Sequence, residues 1–119
     1  MRILKVEPGK VPYEKEINND LHSIQAEVGG GLFEPIPLGN GLLLCCNEEG
    51  KLNGMFPNRR LGNDIICGPF FLVGDDGEGD FVSLMDEQLA RCREQFGKPQ
   101  QFTGEEPELE PRIEFYSMW

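Results

Sequence analysis

Apolar positions along this chain come in short runs, and glycine, proline or asparagine punctuates nearly every one. Arg2, Leu4 and Val6 alternate with Ile3, Lys5 and Glu7 up to Pro8-Gly9, which predicts a first strand ending in a turn. Residues 12–17 return as a second strand. Leu21, Ile24 and Val28 then fall at three- and four-residue spacing, the signature of a short helix, with Asn18 or Asn19 as its cap and Gly29 as its stop. Residues 32–37 and 42–46 are apolar runs separated by Leu38-Gly39-Asn40-Gly41, whose Asn-Gly step signals a hairpin.

Residues 64–73 read as one apolar strand interrupted at Gly68-Pro69, which points to a bulge or a sheet edge. Ser83 followed by Asp86 resembles a capping box, and Met85, Leu89, Cys92 and Phe96 share one helical face before Gly97 and Pro99 stop the helix. Hairpin signals in the order ββαβββα predict an α+β fold. Its core would be a small antiparallel or mixed sheet of about five strands with two helices packed on one side of it. After Gly97 the composition shifts, so residues 1–97 are expected to form one domain and residues 98–119 an acidic Pro/Glu linker with an aromatic tail. That tail is either a frayed end or a docking segment, on its own domain or on a second copy in a homodimer.

Composition narrows the setting. No run approaches the roughly 18 apolar residues of a membrane helix, and the first residues lack a signal-peptide core. Cys45, Cys46, Cys67 and Cys92 form no C-x-x-C pair and sit among apolar residues, so reduced, buried thiols in a cytoplasmic protein are expected. The net charge of −10 is uneven. Residues 1–60 hold seven Lys/Arg against eight Asp/Glu, and residues 61–119 hold four against thirteen. With no basic stripe to displace counterions, direct nucleic-acid binding is disfavoured, whereas imitation of nucleic-acid charge is not.

Familiar chemistry finds little support. His22 is the only histidine, without zinc-spaced partners, and suits a surface or cap role. Adjacent Cys45 and Cys46 face opposite sides of a strand and cannot share a site. Gly29-Gly30-Gly31 and Gly39-Asn40-Gly41 lack a P-loop ending. Asp76, Glu78 and Asp80 could wrap a hard cation, but Phe81 stands where an EF-hand needs its glycine. No metal, no cofactor and no enzymatic activity are expected; an unfamiliar carboxylate chemistry would fall to Glu48 and Glu49.

Residues 47–60 are dense in hydrogen-bonding side chains. Asn47, Lys51, Asn58, Arg59 and Arg60 make a possible grip for a carboxylate or phosphate, the two guanidinium groups acting bidentately. Turns and internal ion pairs are the ordinary alternative use of such side chains. The chain resembles a family of small phage and mobile-element proteins known as domain of unknown function 3846. The resemblance rests on Val6-Glu7-Pro8-Gly9, Cys46-Asn47-Glu48-Glu49-Gly50-Lys51, Asn58-Arg59, Gly68-Pro69-Phe70-Phe71 and residues 81–84, and it spans residues 1–97. It implies life on a phage or integrated element and no defined activity. By analogy of setting, the expectation is a non-catalytic accessory protein that sequesters a small anionic ligand, such as a nucleotide signal, to counter host defence. A second expectation is an acidic, DNA-mimicking inhibitor of a host nuclease or regulator, using residues 75–80 and 105–110.

Overall fold

The structure is a computed structural model and describes residues 1–110. β1 (Arg2–Val6) and β2 (Tyr13–Glu16) pair antiparallel across the Pro8-Gly9 turn, with Ile3 opposite Lys15 and Lys5 opposite Tyr13. α1 (Leu21–Glu27) follows. Its cap is Asp20, whose carboxylate accepts from the Ser23 N–H at 2.7 Å; the expected cap Asn19 instead donates to the Phe81 carbonyl. Gly29 ends the helix as expected, at φ +87°, where a left-handed residue turns two N–H groups back: Gly29 to Ala26 and Gly30 to Gln25.

β3 (Phe33–Gly39) and β4 (Leu42–Asn47) form the hairpin that Asn40-Gly41 announces, with φ of +54° and +72° at those two residues. β5 (Pro57–Leu61) and β6 (Asp64–Cys67) make a separate two-stranded sheet. β7 (Phe70–Asp75) is the centre of the main sheet, β8 (Phe81–Val82) pairs with its end, and α2 (Asp86–Phe96) closes the domain. Among the described residues the six-stranded main sheet runs β2-β1-β7-β4-β3 with β8 beside β7, every pairing antiparallel. The α+β class and the two helices on a small sheet stand as the sequence predicts.

Several expectations change. Gly68-Pro69 is neither a bulge nor an edge: at φ +88° Gly68 turns the chain from one sheet into another, and its N–H bonds the Phe56 carbonyl at 2.8 Å. The helices also lie on opposite faces. Alternation along each strand sends Leu4, Leu44, Cys46, Phe70 and Leu72 toward Leu89, Cys92 and Phe96 of α2, and Ile3, Leu43, Cys45, Phe71 and Val73 toward Ile24 and Val28 at α1. Ser83 does not cap α2. Its hydroxyl accepts from the Arg2 N–H, while the Gln88 side chain accepts from the N–H of Met85, the residue that starts the helix.

On the outer strand β3, Pro35 and Pro37 sit opposite Cys45 and Leu43. Having no N–H, they occupy the positions whose donors would otherwise point away from β4. Residues 98–110, expected to be a linker, lie across the β5–β6 hairpin. The Arg60 N–H donates to Gln100 Oε1, its guanidinium pairs with Glu108 at 3.1 Å, and it stands 5.9 Å over the Phe102 ring. A 3-10 turn, Pro107–Leu109, packs against β6. The expectation that the aromatic tail docks or makes a homodimer falls on residues 111–119, outside the described residues. No helix among the described residues is long and apolar enough to cross a membrane.

Candidate functional site

The five side chains singled out by the sequence separate into three environments. β5 slips register between Pro57 and Arg59, so the consecutive residues Asn58 and Arg59 both turn inward and are fully buried. Asn58 Nδ2 donates to the Val6 and Gly68 carbonyls, both at 2.9 Å, and its oxygen accepts from Arg59. Arg59 Nε donates to the Phe96 carbonyl at the end of α2, and Nη2 donates to the Lys10 carbonyl at 2.6 Å. These acceptors are backbone dipoles, and the negative end of the α2 dipole faces the cation. Burial pulls the Arg59 pKa down from its ordinary value. Asn58 and Arg59 therefore tie β5 to the end of β1, the turn after it, the Gly68 turn and the end of α2, and neither lines the cavity beside β6 or the hollow beside α1.

Arg60 is committed to residues 98–110. Asn47 and Lys51 are the two that reach a cavity. Asn47 Nδ2 donates to the Val28 and Gly30 carbonyls and its oxygen accepts from the Glu49 N–H, which fixes the loop leaving β4. Lys51 pairs with Asp64.

The cavity, about 410 Å³, opens between β6, the β3–β4 hairpin and that loop. Gly50 packs against the Cys67 carbonyl so closely that a Cβ there would come within 2.4 Å of it, which brings the loop onto β6. Glu34, Glu48, Glu49 and Asp64 supply four carboxylates to the lining against the single ammonium of Lys51, with Ile36 and Leu52 as apolar wall. Glu34, Glu48 and Glu49 have no side-chain hydrogen bond or ion pair among the described residues. Apart from the paired Lys51, the charge offered to a ligand is negative.

A second hollow of about 440 Å³ lies beside α1, lined by Met1, Lys15, Glu16, His22 and Glu27. Its charges are already matched. Buried Glu27 accepts from Lys5 and Lys15, each at 2.8 Å, and the Met1 ammonium pairs with Glu16. Burial alone would raise the Glu27 pKa, but the hydrogen bonds and charges of Lys15 and Lys5 hold it below its ordinary value. His22 is exposed at the rim.

Elsewhere the acids serve turns. Asp75 accepts from the Gly77 N–H, and Asp76 from those of Glu78 and Asp80. Among the described residues no cluster of three His, Cys, Asp or Glu is arranged to hold a metal. All four cysteines are buried and unpaired. Burial pushes the Cys45 and Cys46 thiols up to about 12 and Cys92 to about 11, which removes thiolate chemistry at neutral pH.

Glu34, Asp64 and the Lys5–Glu27–Lys15 group are what sequence reasoning missed. One signal existed. Lys5 shares strand parity with Ile3, and a lysine on an apolar face requires a buried acceptor.

Fold and site together define a class: an antiparallel sheet covered by a helix on each face, with a small second sheet bounding an acidic cavity. Within that class the chain belongs to the family described as Domain of unknown function (DUF3846), whose family model matches residues 1–97. No curated protein and no solved structure matches it.

Proposed function

We propose that this is a non-catalytic binding protein that receives, in the cavity beside β6, a cationic side chain presented by a protein partner. On a phage or integrated element, the setting the family resemblance implies, that partner is a host protein whose activity is blocked. The observation that carries this is the cavity lining: Glu34, Glu48 and Glu49 stand around an apolar wall with no cation paired to them among the described residues, and Lys51 is neutralised by Asp64. A small anionic ligand draws less support, because Asn58 and Arg59 spend their donors on carbonyls away from the cavity.

Calorimetry with a short Lys/Arg-containing peptide, beside a panel of linear and cyclic nucleotides, tests it. Salt-sensitive peptide binding, weakened about tenfold or more by the double substitution Glu48→Gln and Glu49→Gln, is expected. Nucleotide binding abolished by Lys51→Ala, with no heat from the peptide, would replace the cationic partner with the anionic ligand.

A further inference from the structure

The two outer strands of the main sheet end it differently. β3 presents Pro35 and Pro37 where outward N–H groups would stand, whereas β2 pairs with β1 along one edge and with no strand along the other among the described residues. All four residues of β2 are exposed. The ladder fixes which of its backbone groups are free. Met1 and Ile17 exchange both hydrogen bonds, so Ile3 with Lys15 and Lys5 with Tyr13 are the next bonded pairs of the antiparallel ladder. Glu14 and Glu16 alternate with those pairs and point their N–H and C=O groups away from β1. The same alternation turns the Arg2 carbonyl to the other side of β1, where the Leu84 N–H bonds it at 3.0 Å. The backbone groups of Glu14 and Glu16 have no such partner among the described residues.

Both faces of that edge have a defined chemistry. Glu14 and Glu16 project on the face of α2, where Glu14 is shared with Arg93 at 2.8 Å, while the Glu16 side chain stays 76% exposed with the Met1 ammonium at 3.4 Å. Lys15 projects on the face of α1, beside the hollow of about 440 Å³, to which Asn18, His22 and Ser23 bring hydrogen-bonding groups. A second copy of the chain fits this edge poorly. Paired with its own two-fold image, β2 sets Lys15 against Lys15 and Glu14 against Glu16, and like charges directly opposite destabilise a ladder. A segment with basic residues opposite both glutamates meets no such repulsion.

We propose that the outer edge of β2 takes an extended segment of a protein partner as an added antiparallel strand, with basic side chains at alternate positions opposite Glu14 and Glu16. Main-chain bonds to those two residues hold the segment, and the intervening side chain, opposite Lys15, turns to the face of α1 and its polar hollow. β2 and β3 are opposite ends of the main sheet, and the cavity beside β6 is lined from β3, so this edge is a second surface that does not depend on the function proposed above.

Hydrogen exchange followed by NMR tests it with a short peptide carrying lysine at alternate positions among threonines. The Glu14 and Glu16 amides should exchange freely in the protein alone and slow about tenfold or more once peptide is added. Two N-methylated peptides separate strand addition from charge attraction, because only one set of alternate N–H groups faces β2. Backbone methylation at the lysines should abolish the protection, and methylation at the threonines should keep it. Glu16→Lys should weaken binding about fivefold while the circular dichroism of the chain stays unchanged. No protection at millimolar peptide overturns the proposal, and so does equal behaviour of the two methylated peptides. Binding indifferent to Glu16→Lys overturns the basic partner. Protection of the same amides without peptide, rising with protein concentration alongside a dimer in sedimentation, replaces the partner by a second copy. Protection lost in the double variant Glu48→Gln and Glu49→Gln places the peptide in the cavity beside β6 and overturns the edge.

Discussion

Arg59 joins three separate stretches of chain through one planar group, and that geometry is what a lysine cannot reproduce. Its guanidinium reaches the Phe96, Asn58 and Lys10 carbonyls in different directions, with Asn58 Oδ1 completing the set. A single ammonium in the same space keeps the charge and loses the fork. Arg59→Lys should lower the free energy of unfolding by about 2–3 kcal/mol in urea titrations. The sequence shows that residues 47–60 are rich in donors and nothing of where the donors point. What decides it is one bulge at Asn58, which turns two consecutive residues inward, and no residue type announces that slip. Asn47 and Lys51 do reach a cavity, but its sign is set by neighbouring Glu48 and Glu49 together with Glu34 from β3, while Asp64 from β6 is taken up by Lys51.

At the level of elements, α1 is held to the sheet by more than Ile24 and Val28. Glu27, in its last turn, meets Lys5 of β1 and Lys15 of β2, and Lys5 also donates to the Glu27 carbonyl. Because the folded-state pKa of Glu27 lies below its unfolded value near 4.5, the stabilisation is fully present above that pH. It fades as pH falls through the folded value. Glu27→Gln should cost about 3 kcal/mol at pH 7, and the gap between variant and unaltered chain should narrow steadily on acid titration followed by circular dichroism. A gap independent of pH would assign the cost to packing alone. β1 to β4 and the helix spacing are legible in the sequence, β5 and β8 are not, and the two-sided cover leaves a trace there although the order of hairpin signals predicts one-sided packing. Leu42-Leu43-Leu44-Cys45-Cys46 and Phe70-Phe71-Leu72-Val73 are continuous apolar runs, which a sheet with one wet face does not need. The break at Gly68-Pro69 is harder to read, because residues 64–67 and 70–73 are equally apolar although they serve different sheets.

For the whole molecule, the family match stops at residue 97 while the described structure continues against the hairpin to residue 110. Arg60 is the hub of that extension, through its N–H, its ion pair and its stacking over Phe102. The contacts are exposed, so Arg60→Ala should cost only about 1 kcal/mol of global stability. It should, however, speed hydrogen exchange across residues 98–110 while leaving β1, β4 and β7 protected. The outer strand β3 bears on how such molecules meet one another. Pro35 and Pro37 leave its solvent side without the regularly spaced donors that a newly arriving strand must find. Growth of the sheet by lateral addition is thereby closed on that flank, even at the high concentrations reached when a small protein is made in bulk. An edge blunted in this way protects against fibril formation, and assembly on that side is left to side chains.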